Sequence, residues 1–238
     1  MPSILLTLAS LAATITAQAL SSSETFVLYP YITSGELTGP YPNSAIDRDQ
    51  PLTGSSGRAG GTFTTDCFNR FTFTAYVGTH CTGDQCGYNR WELNASYPSA
   101  GEDGYTLASY LGGGPLDSFL IAPKSEVDAE GRRDVGWTGH VDECGVGFPT
   151  SGLKLEEGSE GIVHLTYENQ EDGTDVFGTF FTCWVEGNVY GPKLFYRNSE
   201  GTTPEGCAEL LLVPRCTDDE RLADANVVSQ CYQGGLPA

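Results

Sequence analysis

The sequence predicts an all-β protein: an antiparallel β-sandwich of jelly-roll type, braced by disulfides and carrying one short C-terminal helix. Three observations predict it. Thirty glycines and thirteen prolines in 238 residues interrupt the chain too often for long helices. Between the interruptions lie short runs in which apolar and polar residues alternate with period two, the mark of half-buried strands. Eight cysteines, Cys67, Cys81, Cys86, Cys144, Cys183, Cys207, Cys216 and Cys231, form an even set suited to covalent bracing in an oxidising compartment.

The chain opens with an apolar stretch, Met1 to Ala19, ending in the small-residue pattern Ala17-Gln18-Ala19. That pattern is expected of a secretory signal peptide cleaved before Leu20, with the α-amino group as its positive end. Ser10, Thr14, Thr16 and Gln18 break the stretch, leaving it short of the roughly 20 apolar residues of a membrane span. Residues 20–238 are then expected to form one secreted β-rich domain, about the size a single sandwich or barrel reaches.

Strands are expected at Thr25–Ile32, Arg70–Val77, Arg90–Tyr97, Tyr105–Leu111, Ser118–Ala122, Gly161–Tyr167, Val176–Val185, Lys193–Arg197 and Ala208–Val213. The clearest is Arg70–Val77, where Phe71, Phe73, Ala75 and Val77 alternate with Thr72, Thr74 and Tyr76. Residues 33–61, rich in Gly, Pro and Ser, read as a long loop, either functional or flexible. Thr217-Asp-Asp-Glu220 is a capping-box sequence, which predicts a helix running to about Gln230 with Leu222, Ala225 and Val228 on its inner side. A Cys216–Cys231 bond would clip that helix at both ends, closing a loop of about 16 residues worth roughly 3 kcal/mol in the chain-entropy model. Cys81 and Cys86 could close a tight turn in the same way, although eight cysteines admit many other connectivities.

Composition excludes several function classes. Twelve basic against 31 acidic residues give a net charge of −19 and a pI near 4.2. Nucleic-acid binding rests on Lys and Arg neutralising phosphates, and anionic membrane surfaces attract polybasic segments, so neither partner is expected. His80, His140 and His164 are scattered without ligand spacing, and the cysteines suit disulfides better than zinc, so no metal or other cofactor is expected. Asp47-Arg-Asp49 and Glu168 to Asp175 lack ordered calcium-ligand spacing. No Gly-x-Ser-x-Gly elbow is present, and Gly112-Gly-Gly114 lacks the Lys of a phosphate cradle.

Two features point toward carbohydrate. In Glu126-Val127-Asp128-Ala129-Glu130 an extended backbone would project three carboxyls from one face, so that one could attack a sugar while another protonates the leaving oxygen. The string resembles the E-x-D-x-E core of secreted β-glucanases of the jelly-roll laminarinase type. That resemblance implies Glu126 as nucleophile, Glu130 as acid/base and Asp128 assisting. The flanks Lys124, Ser125, Gly131, Arg132 and Arg133 replace the family's apolar and aromatic residues, which favours a charged surface loop. The other feature is the set Trp91, Trp137 and Trp184, with neighbouring tyrosines: candidate rings for sugar stacking, or core side chains. Around Trp184, Phe177, Phe181, Cys183 and Val185 share one face and Phe180 and Trp184 the other, so this strand is either buried on both faces or presents a binding surface. Asn94-Ala95-Ser96 is the one N-glycosylation sequon.

From Gly178 the chain reads G-T-F-F-T-C-W-V-E-G-N-V-Y-G-P-K-L-F-Y-R-N, then T-P-E-G-C-A-E-L-L-L-V-P-R-C; S-E-T-F-V-L-Y opens the part after Ala19. These motifs are similar to a family of small secreted β-rich proteins of filamentous fungi that has no assigned activity. The resemblance implies fold and export and transfers no functional residue. The reading is therefore a secreted, extracellular, non-catalytic surface, cell-wall or host-interaction glycoprotein, with polysaccharide or a host protein as its partner. The alternative is a secreted β-glucan hydrolase using Glu126 and Glu130.

Overall fold

A computed structural model of the chain describes residues 19–39, 52–55, 72–76, 91–94, 106–110, 117–121, 129, 132–138, 153–167, 178–186, 191–197, 201–217, 227–235 and 237. Every regular element among them is a strand. In chain order these are β1 (Leu20–Ser23), β2 (Thr25–Gly35), β3 (Thr53–Ser55), β4 (Thr72–Tyr76), β5 (Trp91–Asn94), β6 (Thr106–Tyr110), β7 (Asp117–Ile121) and β8 (Arg133–Asp134). There follow β9 (Gly136–Thr138), β10 (Leu153–Glu157), β11 (Val163–Tyr167), β12 (Thr179–Cys183), β13 (Lys193–Arg197), β14 (Cys207–Thr217) and β15 (Ser229–Tyr232).

Hydrogen-bonded neighbours run β14–β12–β13–β4–β9–β7–β6–β5–β2, and β2 pairs back onto β14, so these nine strands form a closed circuit. Closure leaves few free edges for intermolecular pairing. The pairings are antiparallel except between β14 and β15, which touch in parallel at Arg215↔Tyr232. β1 continues outward from β15, and the β10–β11 hairpin forms a separate two-stranded sheet.

The spine is the β2–β14 pair, two 11-residue strands in register from Ala208↔Gly35 to Thr217↔Thr25. Alternation sends Phe26 and Leu28 of β2, and Ala208, Leu210 and Leu212 of β14, into one core. Phe180, Leu194 and Tyr196 from β12 and β13 join them, as do Leu153 and Leu165 from the hairpin. Burying each such Leu or Phe side chain contributes about 1.5–3 kcal/mol. Tyr196 takes edge-on contacts from Tyr167 and Phe180, and its hydroxyl occupies the space where a Cβ on Gly178 would stand.

Of the two readings of the strand before Trp184, the structure shows the buried one. Phe180 and Thr182 are buried on one face of β12, and Phe181 and Cys183 on the other. Phe181 stacks on Phe195 of β13, and the Cys183–Cys207 disulfide lies in the same cluster, joining directly opposed residues of β12 and β14. The expected Cys216–Cys231 bond is present and ties the end of β14 to β15. No cysteine is free among the described residues, and two disulfides are the chemistry of an oxidising compartment. Cys67, Cys81, Cys86 and Cys144 lie outside the described residues.

Several expectations need correction. The segment 33–61 is not one loop: β2 runs on to Gly35, and Thr53–Ser55 pairs with β4 after buried Leu52, whose amide donates to the Leu28 carbonyl. The helix expected to reach Gln230 does not, because Ser229 and Gln230 are strand residues paired with Ser23 and Ser22. Val228, placed on the helix's inner side, is 65% exposed, and Val227 packs on the core instead. The physical reason is the combined hold of the β1 ladder and the Cys216–Cys231 bond, which keeps this end extended. Thr217 belongs to β14, with its hydroxyl 2.7 Å from that of Thr25. The remainder of that helix, residues 218–226, lies outside the described residues, as do residues 1–18 of the expected leader.

Candidate functional site

A cleft of about 590 Å³ opens where the ends of β2, β13 and β14 meet the segment 201–206. Two local devices build it. The first is a β-bulge in β2. Leu210 pairs with Ile32 but Glu209 pairs with Ser34, so Thr33 is the extra residue, and it turns Ser34 onto the face that carries Tyr29 and Tyr31. The second is the turn Pro204-Glu205-Gly206-Cys207, closed by the Cys207 amide donating to the Pro204 carbonyl at 3.2 Å. Gly206 occupies its third position with φ +79°, as a type II turn requires. The Thr38 amide donates to the Gly206 carbonyl at 3.0 Å, fastening the end of the β2 segment to this turn.

Glu209 lies at the centre. Ser34 Oγ donates to its Oε2 at 2.7 Å; Thr203 Oγ1 and Arg197 Nη2 both donate to Oε1. Arg197 Nε also donates to Thr203 Oγ1 at 3.0 Å, which closes the cluster on itself. Burial opposes ionisation of Glu209, but hydrogen bonds from Thr203, Arg197 and Ser34 and the Arg197 charge outweigh it and hold the carboxyl down to about 2. The carboxylate is therefore ionised at any ordinary pH, with both oxygens engaged. Such a group is a fixed acceptor, unsuited to donate a proton or to attack. Thr38, Thr202, Glu36 and Glu205 present exposed polar side chains around it.

Of the expected binding tryptophans, Trp184 is the one whose side chain is described, and it does not line this cleft. Trp184 follows β12, half-buried, with its indole laid against Gly39, where no Cβ would fit. Trp91 lies in β5 opposite Phe26 and Ser109, and Trp137 in β9 opposite Phe73 and Leu120; their side chains lie outside the described residues. Glu126, Asp128 and Glu130 lie outside them too, although Ala129 between them is exposed in a turn. Immediately after this segment Arg132 stands over the Phe195 ring at 5.0 Å, and Arg133–Asp134 pairs with β13. Asn94 ends β5 opposite Thr106. No group of metal-ligating side chains and no helix long and apolar enough to cross a membrane occurs among the described residues.

Sequence reasoning missed Ser34, Arg197, Thr203 and Glu209. One local signal was present, the Pro-Glu-Gly-Cys turn, which marks where the cleft's floor is fastened. Comparison with protein-family models, with curated proteins and with solved structures returns no match.

Proposed function

We propose that this protein is a secreted, non-catalytic extracellular protein that binds neutral carbohydrate in the cleft around Glu209. The observation that carries the reading is the closed Ser34–Glu209–Thr203–Arg197 cluster. Its charges cancel internally, its geometry is fixed before any ligand arrives, and hydroxyls of Thr38 and Thr202 stand beside it. Preorganised hydroxyls and a neutralised ion pair suit a polyhydroxylated, uncharged ligand, because little ordering entropy remains to be lost. The overall charge of −19 disfavours acidic glycans. An engaged, ionised Glu209 supports binding over catalysis.

The same proposal includes cleavage of residues 1–19, a glycan on Asn94, and kinship with the fungal secreted β-rich family. It further includes a sandwich-like flattening of the strand circuit and a short helix bridging β14 and β15. A panel of immobilised neutral and acidic polysaccharides tests the function. Retention on a neutral polysaccharide, reduced by Thr38→Arg, is expected; retention on none of them would refute it.

A further inference from the structure

Resting on the reading of the cleft as a carbohydrate site, we propose that Glu36 and Glu205 set its specificity. They accept hydroxyl hydrogens from an uncharged sugar and exclude a sugar that carries carboxylates.

The two residues reach the cleft from separate segments. Glu36 follows β2 directly, and Glu205 stands in the Pro204–Cys207 turn. The Thr38 amide fastens the first segment to the second through the Gly206 carbonyl, and Thr38 Oγ1 closes on Gly206 where a Cβ would stand. Leu37, between Glu36 and Thr38, is buried in the main core. Both carboxylates are therefore carried on anchored backbone at the cleft wall.

Their charge is uncompensated, unlike that of Glu209. Among the described lining residues the single cation is Arg197, and its guanidinium already donates to Glu209 and Thr203. Three carboxylates against one guanidinium leave the cleft two negative charges, both at exposed Glu36 and Glu205. Hydrogen-bonding capacity leans the same way. Ser34, Thr203 and Arg197 direct donors to Glu209, while an ionised carboxylate only accepts.

No aromatic ring is among the described lining residues, so hydrogen bonds and charge, rather than stacking, carry recognition here. A sugar hydroxyl supplies the hydrogen that Glu36 or Glu205 lacks. A sugar carboxylate has none to supply and adds a like charge, which at about 4 Å weakens binding about fivefold even in water-like surroundings. The protein's overall charge of −19 does not by itself give such selection, because exposed charges more than about 8 Å away are screened at physiological salt.

Calorimetric titration of the folded, oxidised protein with neutral gluco- and manno-hexaoses, and with their counterparts oxidised at C6 to carboxylates, tests the two roles. For at least one sugar the neutral chain is expected to bind about tenfold or more tightly than its oxidised counterpart. Glu36→Gln combined with Glu205→Gln keeps a carbonyl acceptor at each position. That variant should raise the oxidised chain's affinity until the ratio falls below about threefold, with the neutral affinity nearly unchanged. Glu24→Gln combined with Glu157→Gln removes the same two charges from exposed positions outside the cleft and should leave the ratio as in wild type. An unchanged ratio in the first variant, or an equal fall in the second, would overturn the proposal. Wild-type binding without discrimination would also overturn it and leave the cleft standing as a carbohydrate site. Binding of neither neutral nor oxidised chains would overturn it together with the carbohydrate reading on which it rests.

Discussion

Ser34 faces Glu209 across β2 and β14 only because β2 carries one extra residue at Thr33. Without it, period-two alternation would turn Ser34 to the opposite face of the strand. The hydroxyl then completes a cluster in which Glu209 accepts from three side chains and Arg197 donates to two. Removing the carboxylate charge should therefore disturb more than one contact. Glu209→Gln is expected to cost about 1–3 kcal/mol in urea unfolding, since it removes the charged acceptor that Arg197, Thr203 and Ser34 share.

The same carboxylate makes stability depend on pH in acid. Its pKa is held to about 2 in the folded chain against an ordinary 4.5. A depressed folded value means the contribution is complete above about pH 4.5 and is lost as pH falls through about 2. Unfolding measured between pH 5 and 2 should show wild type losing its advantage over Glu209→Gln across that window. A constant difference between the two would contradict the assignment.

Covalent bracing gives a third expectation. The Cys216–Cys231 bond closes a 15-residue separation and holds β15, on which β1 depends for its ladder. Replacing both cysteines by serine should cost about 3 kcal/mol by the chain-entropy argument. Hydrogen exchange should quicken first at residues 20–23 and 229–232, ahead of the β2–β14 spine.

Close packing at Gly178 gives a fourth. The Tyr196 hydroxyl fills the space a Cβ would need, so Gly178→Ala must displace a ring held by Tyr167 and Phe180. A loss of about 1–3 kcal/mol is expected, as for other overpacked cores. Thermal unfolding reads it, and a companion Tyr196→Phe change should recover part of it.

The parts of the fold legible in the sequence are those where local chemistry and tertiary context agree. Lys193–Arg197 has its observed bounds, β2 and β12 stand where alternation and aromatic density place them, and Cys216–Cys231 is one of the several pairings that the cysteine spacing leaves open. Several strands that escaped notice were short or polar, although Leu153–Glu157, in which Leu153 and Leu155 alternate with Lys154 and Glu156, was neither. Leu20-Ser-Ser-Ser23 and Thr53-Gly-Ser55 carry almost no apolar pattern, and Ser229–Tyr232 was hidden behind a capping-box sequence whose hydroxyl meets Thr25. The cleft was less legible still. Arg197 and Glu209 lie 12 residues apart and Ser34 another 175 residues away, brought together by strand register and one bulge, neither of which leaves a local signature.

The most direct measurement of the central claim is amide NMR of the oxidised protein during titration with the neutral oligosaccharide it retains best. The account predicts saturable shifts concentrated at residues 34–38 and 201–209, with the spectrum elsewhere nearly unchanged. Shifts confined to other strands, or none at any sugar concentration, would contradict it.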